Sequence, residues 1–134
     1  MISYLEKFEK MRVAGKLAAE TLDMLTDNIK PGITTEFIDK LGYEFIRDNG
    51  AYSAPLFYRG FKKSLCTSLN HVVCHGIPSD RVLVEGDALN VDVTAIVDEH
   101  YGDTSRMFCI GKTPVKVNNL IDATYESMMR AINL

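Results

Sequence analysis

The stretch NVDVTAIVDEHYGDTSRMF, residues 90–108, limits most strongly what this chain can become. It contains two strand-like runs, and each carries an aspartate, Asp92 and Asp103, among residues that should be buried. A carboxylate in a strand is unfavourable twice over, because Asp has poor β-propensity and an unpaired buried charge is costly. If the chain turns with Asp98-Glu99 at the centre, Asp103 lies directly opposite Thr94. Opposed residues share a face, and side chains alternate along a strand, so Asp92, Thr94 and Asp103 project together. The two aspartates then become diagonal neighbours, about 7–8 Å apart at Cα. A two- or four-residue turn preserves this parity, and a three-residue turn breaks it.

Two carboxylates on one sheet face repel unless a shared proton, an arginine or a cation neutralises them. One reading is a divalent metal held by hard oxygen ligands from two strands. The other pairs one aspartate with Arg106, or with a loop amide, and leaves its neighbour partly exposed. The spacing admits both.

A second group of reactive side chains lies in NHVVCHGIPSD, where His71, Cys74 and His75 precede a Gly-Ile-Pro turn. Its His-x-x-Cys-His spacing does not recur in structural zinc sites. Cys74 and His75 are also poorly placed as a nucleophile and base, since consecutive strand residues point to opposite faces. What is left is a single imidazole at a strand end, either packed quietly or presented to a substrate in a cleft.

The rest of the chain supplies helices and short strands. Residues 4–28 place Leu5, Phe8, Val13, Leu17, Leu22 and Leu25 on one side of an amphipathic helix stopped by Pro31-Gly32. Thr34 is the expected N-cap of a second helix with Glu36 in its first turn, apolar positions at Phe37, Ile38, Leu41, Phe45 and Ile46, and a stop at Asn49-Gly50. The segments SAPLFYRGF, SLCTSLNHVVCHG, DALNVDVTAIV and YGDTSRMFCIG read as strands and loops of an antiparallel sheet. A last helix after Pro114, with a cap expected at Asn118 or Asn119, ends on apolar residues, so it either docks on the sheet or meets further protein.

With 134 residues and 46% hydrophobic content, one domain over residues 1–134 can bury a real core. The fold class is α+β, an antiparallel sheet with helices packed on one face. Net charge is -3, with 15 basic residues scattered among 18 acidic ones, so nucleic acid and anionic membranes are not expected partners. The charged N-terminus and three widely spaced cysteines point to reduced thiols in a cytoplasm.

The runs VVCHGIPSD, GDALNVDVT and YGDTSRMF, with YRGFKKSLCTSLN and EKMRVAGKLAAETL before them, together resemble the type I methionine aminopeptidases of bacteria and organelles. The resemblance spans nearly the whole chain, with the motifs in order and at the family's spacing. It implies one half of the family's pita-bread α/β fold, built from two pseudo-symmetric halves, and removal of the initiator methionine from nascent proteins. By the same resemblance Asp92 and Asp103 are the first two ligands of a pair of divalent ions (Co, Mn, Fe or Zn), with Asp103 bridging. His75 is implied as the imidazole that contacts substrate near its N-terminal amine and scissile peptide. Tyr58, Phe61 and Cys66 fall where the family lines its methionine side-chain pocket. Phe61-Lys62 stands where an aromatic-proline pair is usual, and Pro55 where a cysteine is common.

The likeness covers the N-terminal half alone. A histidine and two glutamate ligands, and a further histidine that assists catalysis, belong to the C-terminal half and have no counterpart in the chain. Three expectations follow. The remaining ligands come from a C-terminal-half polypeptide or from a part of the protein missing from this sequence, or the chain is a catalytically inactive binding module, or a second copy stands in for the absent half around a carboxylate-only metal site.

Overall fold

The computed structural model describes residues 3–134. Helix α1, Tyr4–Thr26, begins in a reciprocal capping box: Ser3 Oγ accepts from the Glu6 amide and Glu6 accepts from the Ser3 amide. Helix α2, Thr35–Asp48, is capped by Thr34 as expected and closes through Asn49 and Gly50, whose φ of +72° suits glycine. Four strands follow: β1 Tyr52–Ser53, β2 Cys66–Leu69, β3 Ala88–Val97 and β4 His100–Cys109. Helix α3, Val115–Ile132, ends the chain.

All pairings in the sheet are antiparallel. Strand β3 is central, with β1 and β2 along one edge and β4 along the other. The period of two sorts its side chains. Leu89, Val91, Val93 and Ala95 are fully buried and face the helices, while Asn90, Asp92 and Thr94 point the other way. Helix α1 packs Leu17, Ala18, Leu22 and Leu25 onto this apolar face, and Ile38 and Ile46 of α2 complete the core. Each of these larger aliphatic side chains contributes roughly 1.5–3 kcal/mol by leaving water.

The helix approaches β4 at Gly102. A Cβ there would stand 2.1 Å from the Ala14 carbonyl carbon, so this glycine marks a backbone-to-backbone contact and does not interrupt a strand. The sheet meets α1 only from Ala14 onward, which corrects the expected core. Leu5, Phe8 and Val13 share the helical period with the buried leucines but are more than half exposed.

Three other expectations are revised. Within SAPLFYRGF only Ser53 belongs to a strand, because Pro55 starts a 3₁₀ turn, Ala54–Phe57, instead of a ladder. After Leu69 the run NHVVCHG leaves the sheet, with Asn70 and His75 at positive φ. Helix α3 is preceded by Pro114 at the cap position, and Asn118 lies inside its first turns, where its side chain accepts from the Thr113 hydroxyl and the Cys109 thiol. No residue of α3 is buried; Leu120, Tyr125 and Ile132 are all more than 60% exposed.

Candidate active site

The β3–β4 hairpin has the register expected from parity: Thr94 pairs with Asp103 and Val97 with His100 across Asp98-Glu99. Both turn residues have positive φ, +46° and +65°, the handedness that matches the twist of the flanking strands. Asp92, Thr94 and Asp103 therefore share the face turned away from α1. Strand β2 adds Cys66 directly opposite Asp92, and β4 adds Ser105 on its other side.

On this face Asp92 is half-buried and Asp103 exposed. Burial is the main cause that holds the Asp92 carboxyl above its ordinary value; the charge of Asp103 and a hydrogen bond between the two carboxyls push the same way, and His75 pulls it down. Burial likewise pushes the Cys66 thiol up to about 11, helped by the charges of Asp92, Cys74, Asp39 and Asp103. Arg106 is not the neutralising partner. It sits on the helix face of β4, where its guanidinium donates to Asp23 at 2.8 Å and Thr26 at 3.2 Å.

His75 lies in the loop after β2, near enough for its charge to lower the Asp92 carboxyl. That loop folds back on the strand: the Thr67 amide donates to the Gly76 carbonyl at 2.8 Å and the Gly76 amide to Ser68 Oγ at 3.1 Å. Gly76 has no room for a side chain, since a Cβ would lie 2.2 Å from the Thr67 carbonyl oxygen. Tyr58 and Phe61 belong to the irregular segment leading into β2. The Phe61 amide donates to the Tyr58 carbonyl at 2.9 Å, and Tyr58 is 62% exposed with the Arg59 guanidinium over its ring. The fold thus sets Cys66, Asp92 and Asp103 on one sheet face, with His75 in the loop after β2 and Tyr58 and Phe61 in the segment before it.

The donor set suits a hard divalent cation. Two neighbouring carboxylates present the oxygen ligands such an ion prefers, and an ion would offset the repulsion that helps to raise Asp92. The pair is a partial shell, for among the described residues no three His, Cys, Asp or Glu side chains come together as ligands.

One important carboxylate escaped the sequence reading. Asp39 lies on the buried stripe of α2 with Thr35, Ile38, Gly42 and Ile46, and its Oδ1 accepts from the Ser64 amide, the Ser64 hydroxyl and the Leu65 amide at 2.7–2.8 Å. An aspartate at helical spacing within an apolar stripe was the available signal.

An antiparallel sheet backed by helices, with two carboxylates on its open face, offers part of a divalent-ion site. Residues 9–134 match the metallopeptidase family M24, and the chain belongs to that family. Within it the chain is similar to methionine aminopeptidases, 55% identical over 127 residues to that of Rickettsia prowazekii and 48% over 128 residues to methionine aminopeptidase 2 of Mycobacterium tuberculosis. These alignments take in 95% and 96% of the chain but 49% and 45% of the relatives, so the chain spans about half the length of the curated relatives it matches. The crystal structure of the Rickettsia enzyme superposes with a TM-score of 0.92 at 54% identity, over 96% of this chain and 52% of that one. The Thermotoga maritima methionine aminopeptidase superposes at 0.93 with 33% identity, over 98% and 53%. The fold is the pita-bread fold of these enzymes, in about half its extent. Among the described residues no helix is long and apolar enough to cross a membrane.

Proposed function

We propose that this chain carries part of the active site of a cytoplasmic, metal-dependent aminopeptidase that removes the N-terminal methionine of nascent peptides. The carrying observation is that Asp92 and Asp103 share one sheet face, with Cys66 directly opposite Asp92. Asp92 and Asp103 would hold divalent ions, two in a complete site. When bound, such ions supply Lewis acidity toward the scissile carbonyl and toward the attacking water. The chain's own residues orient the substrate: His75 hydrogen-bonds near the N-terminal amine and the carbonyl, and Tyr58, Phe61 and Cys66 form an apolar slot for the thioether. The raised thiol of Cys66 keeps it neutral there, as an apolar wall requires.

Further ligands of a complete site would come from the half of the fold that the relatives have beyond the matched region, in the same or another polypeptide, and the uncovered apolar residues of α3 support such a neighbour. Two carboxylates alone leave most of an ion's shell to water, so the isolated chain should bind metal weakly. Calorimetric titration with Mn(II) or Co(II) should give heat that disappears in Asp92→Ala and Asp103→Ala. Hydrolysis of Met-Ala-Ser should then require the second-half polypeptide. Absence of heat in the wild type would favour a non-catalytic binding module, and hydrolysis by the isolated chain would refute the partial site.

A further inference from the structure

The two segments before and after β2, one with Tyr58 and Phe61 and one with His75, have little regular structure of their own, yet both are tied to the start of α2. On one side Lys63 pairs with Glu36, and Asp39, 8% exposed, accepts three hydrogen bonds from Ser64 and Leu65 immediately before Cys66. On the other side Thr35 Oγ1 donates to the Ser79 carbonyl at 3.1 Å and accepts from the Ser79 amide at 2.9 Å. The Glu36 amide donates to the same carbonyl at 2.8 Å, and the Thr35 amide donates to the Arg81 carbonyl at 3.1 Å. Thr35, Glu36 and Asp39 fall within two turns of one helix, and Ile38 and Ile46 root that helix in the core.

We propose that the N-terminal turns of α2 are the positioning element of the substrate site. Asp39, with Glu36, sets the wall that discriminates the substrate's first side chain, and Thr35 sets the loop that presents His75. None of the three residues touches substrate; they act through Ser64, Leu65 and Ser79. The inference rests on the aminopeptidase reading for the identity of that side chain, methionine. Its physical basis is separate: a loop held at one point by a buried acceptor with three donors loses its geometry when the acceptor is removed, and displacements near 1 Å are enough to change rates and affinities.

The test uses the isotopically labelled chain, titrated with L-methionine amide and L-alanine amide under NMR observation, together with amide hydrogen exchange. Wild type should prefer methionine amide, with shifts at Tyr58, Phe61 and Cys66. Asp39→Ala should lose about tenfold of that preference, with faster exchange at Ser64 and Leu65. Asp39→Asn, which keeps an acceptor oxygen, should retain the preference. Thr35→Val should weaken both amides alike and leave the preference intact. A merely structural role would weaken both probes equally in Asp39→Ala, and that result overturns the proposal. If wild type binds neither amide, the methionine reading and the selectivity it implies both fall. Exchange then decides the clamp alone: acceleration in Asp39→Ala that spreads from Ser64 to Tyr58 supports it, and unchanged exchange overturns it.

Discussion

Cys66 stands directly opposite Asp92 across β2 and β3, so a thiol and a carboxylate lie side by side on the open sheet face. Burial is the larger cause of the raised Cys66 thiol and the Asp92 charge the next, which leaves almost no thiolate at neutral pH. Cys74 and Cys109 are exposed. At pH 8 a chromogenic disulfide should therefore modify Cys74 and Cys109 quickly and Cys66 slowly. Asp92→Asn should speed Cys66 only modestly, since burial is untouched. Rapid labelling of all three thiols in the folded wild type would refute the arrangement.

The same carboxylate should cost stability. Asp92 is raised in the fold above the ordinary value of about 4, so the native state holds its proton more tightly than the unfolded chain does. That stabilising contribution is full below the ordinary value and is lost as pH rises through the raised one. At pH 7 the ionised side chain opposes folding. Without metal, Asp92→Asn should melt a few degrees higher than wild type at pH 7, with the gap closing in acid. Mn(II) should stabilise wild type by mass action and leave Asp92→Asn nearly unmoved. Scanning calorimetry across pH, with and without the ion, measures both effects.

The site's backbone was legible where one rule decides many residues. Hairpin parity around Asp98-Glu99 fixed the common face of Asp92, Thr94 and Asp103, and the register agrees at every pair. Helical periodicity named the correct side of α1 but not its reach, because how far a sheet extends beneath a helix is a tertiary matter; hence Leu5, Phe8 and Val13 are exposed. Arg106 could be read as a counter-ion only while its face was unassigned, and alternation along β4 sends it to Asp23. Asp39 stayed hidden because its partners, Ser64 and Leu65, lie 25 and 26 residues away in a segment without periodicity.

The turn that fixes this register carries a local cost that can be removed. Glu99 has φ of +65° without being glycine, a conformation that costs an ordinary L-residue roughly 1 kcal/mol. Glu99→Gly should recover part of this, offset by the greater freedom of glycine in the unfolded chain, for a net gain of about 0.5 kcal/mol. Glu99→Val should lose about 1 kcal/mol, since a β-branched side chain tolerates positive φ worst. Urea unfolding of the two variants should bracket wild type, and the opposite order would mean that the turn does not hold this geometry in solution.

Gly102 links the core to the carboxylate face most directly. It precedes Asp103 in β4 and lies beneath Ala14 and Gly15 of α1, where a Cβ would meet backbone at 2.1–2.3 Å with no flexible side chain to yield. Gly102→Ala must therefore push α1 away from the sheet or tilt β4. The first opens gaps around Leu17 and Ala18, and the second rotates Asp103 away from Asp92. A loss of about 3 kcal/mol is expected from overpacking of this kind. Gly15→Ala is the control, since a Cβ added there would meet nothing within 4 Å and helix propensity favours alanine; it should stabilise by roughly 0.5–1 kcal/mol. Where Gly102→Ala still folds, its Mn(II) heat should fall with its stability, because one backbone contact supports both the packing of α1 and the spacing of the two carboxylates.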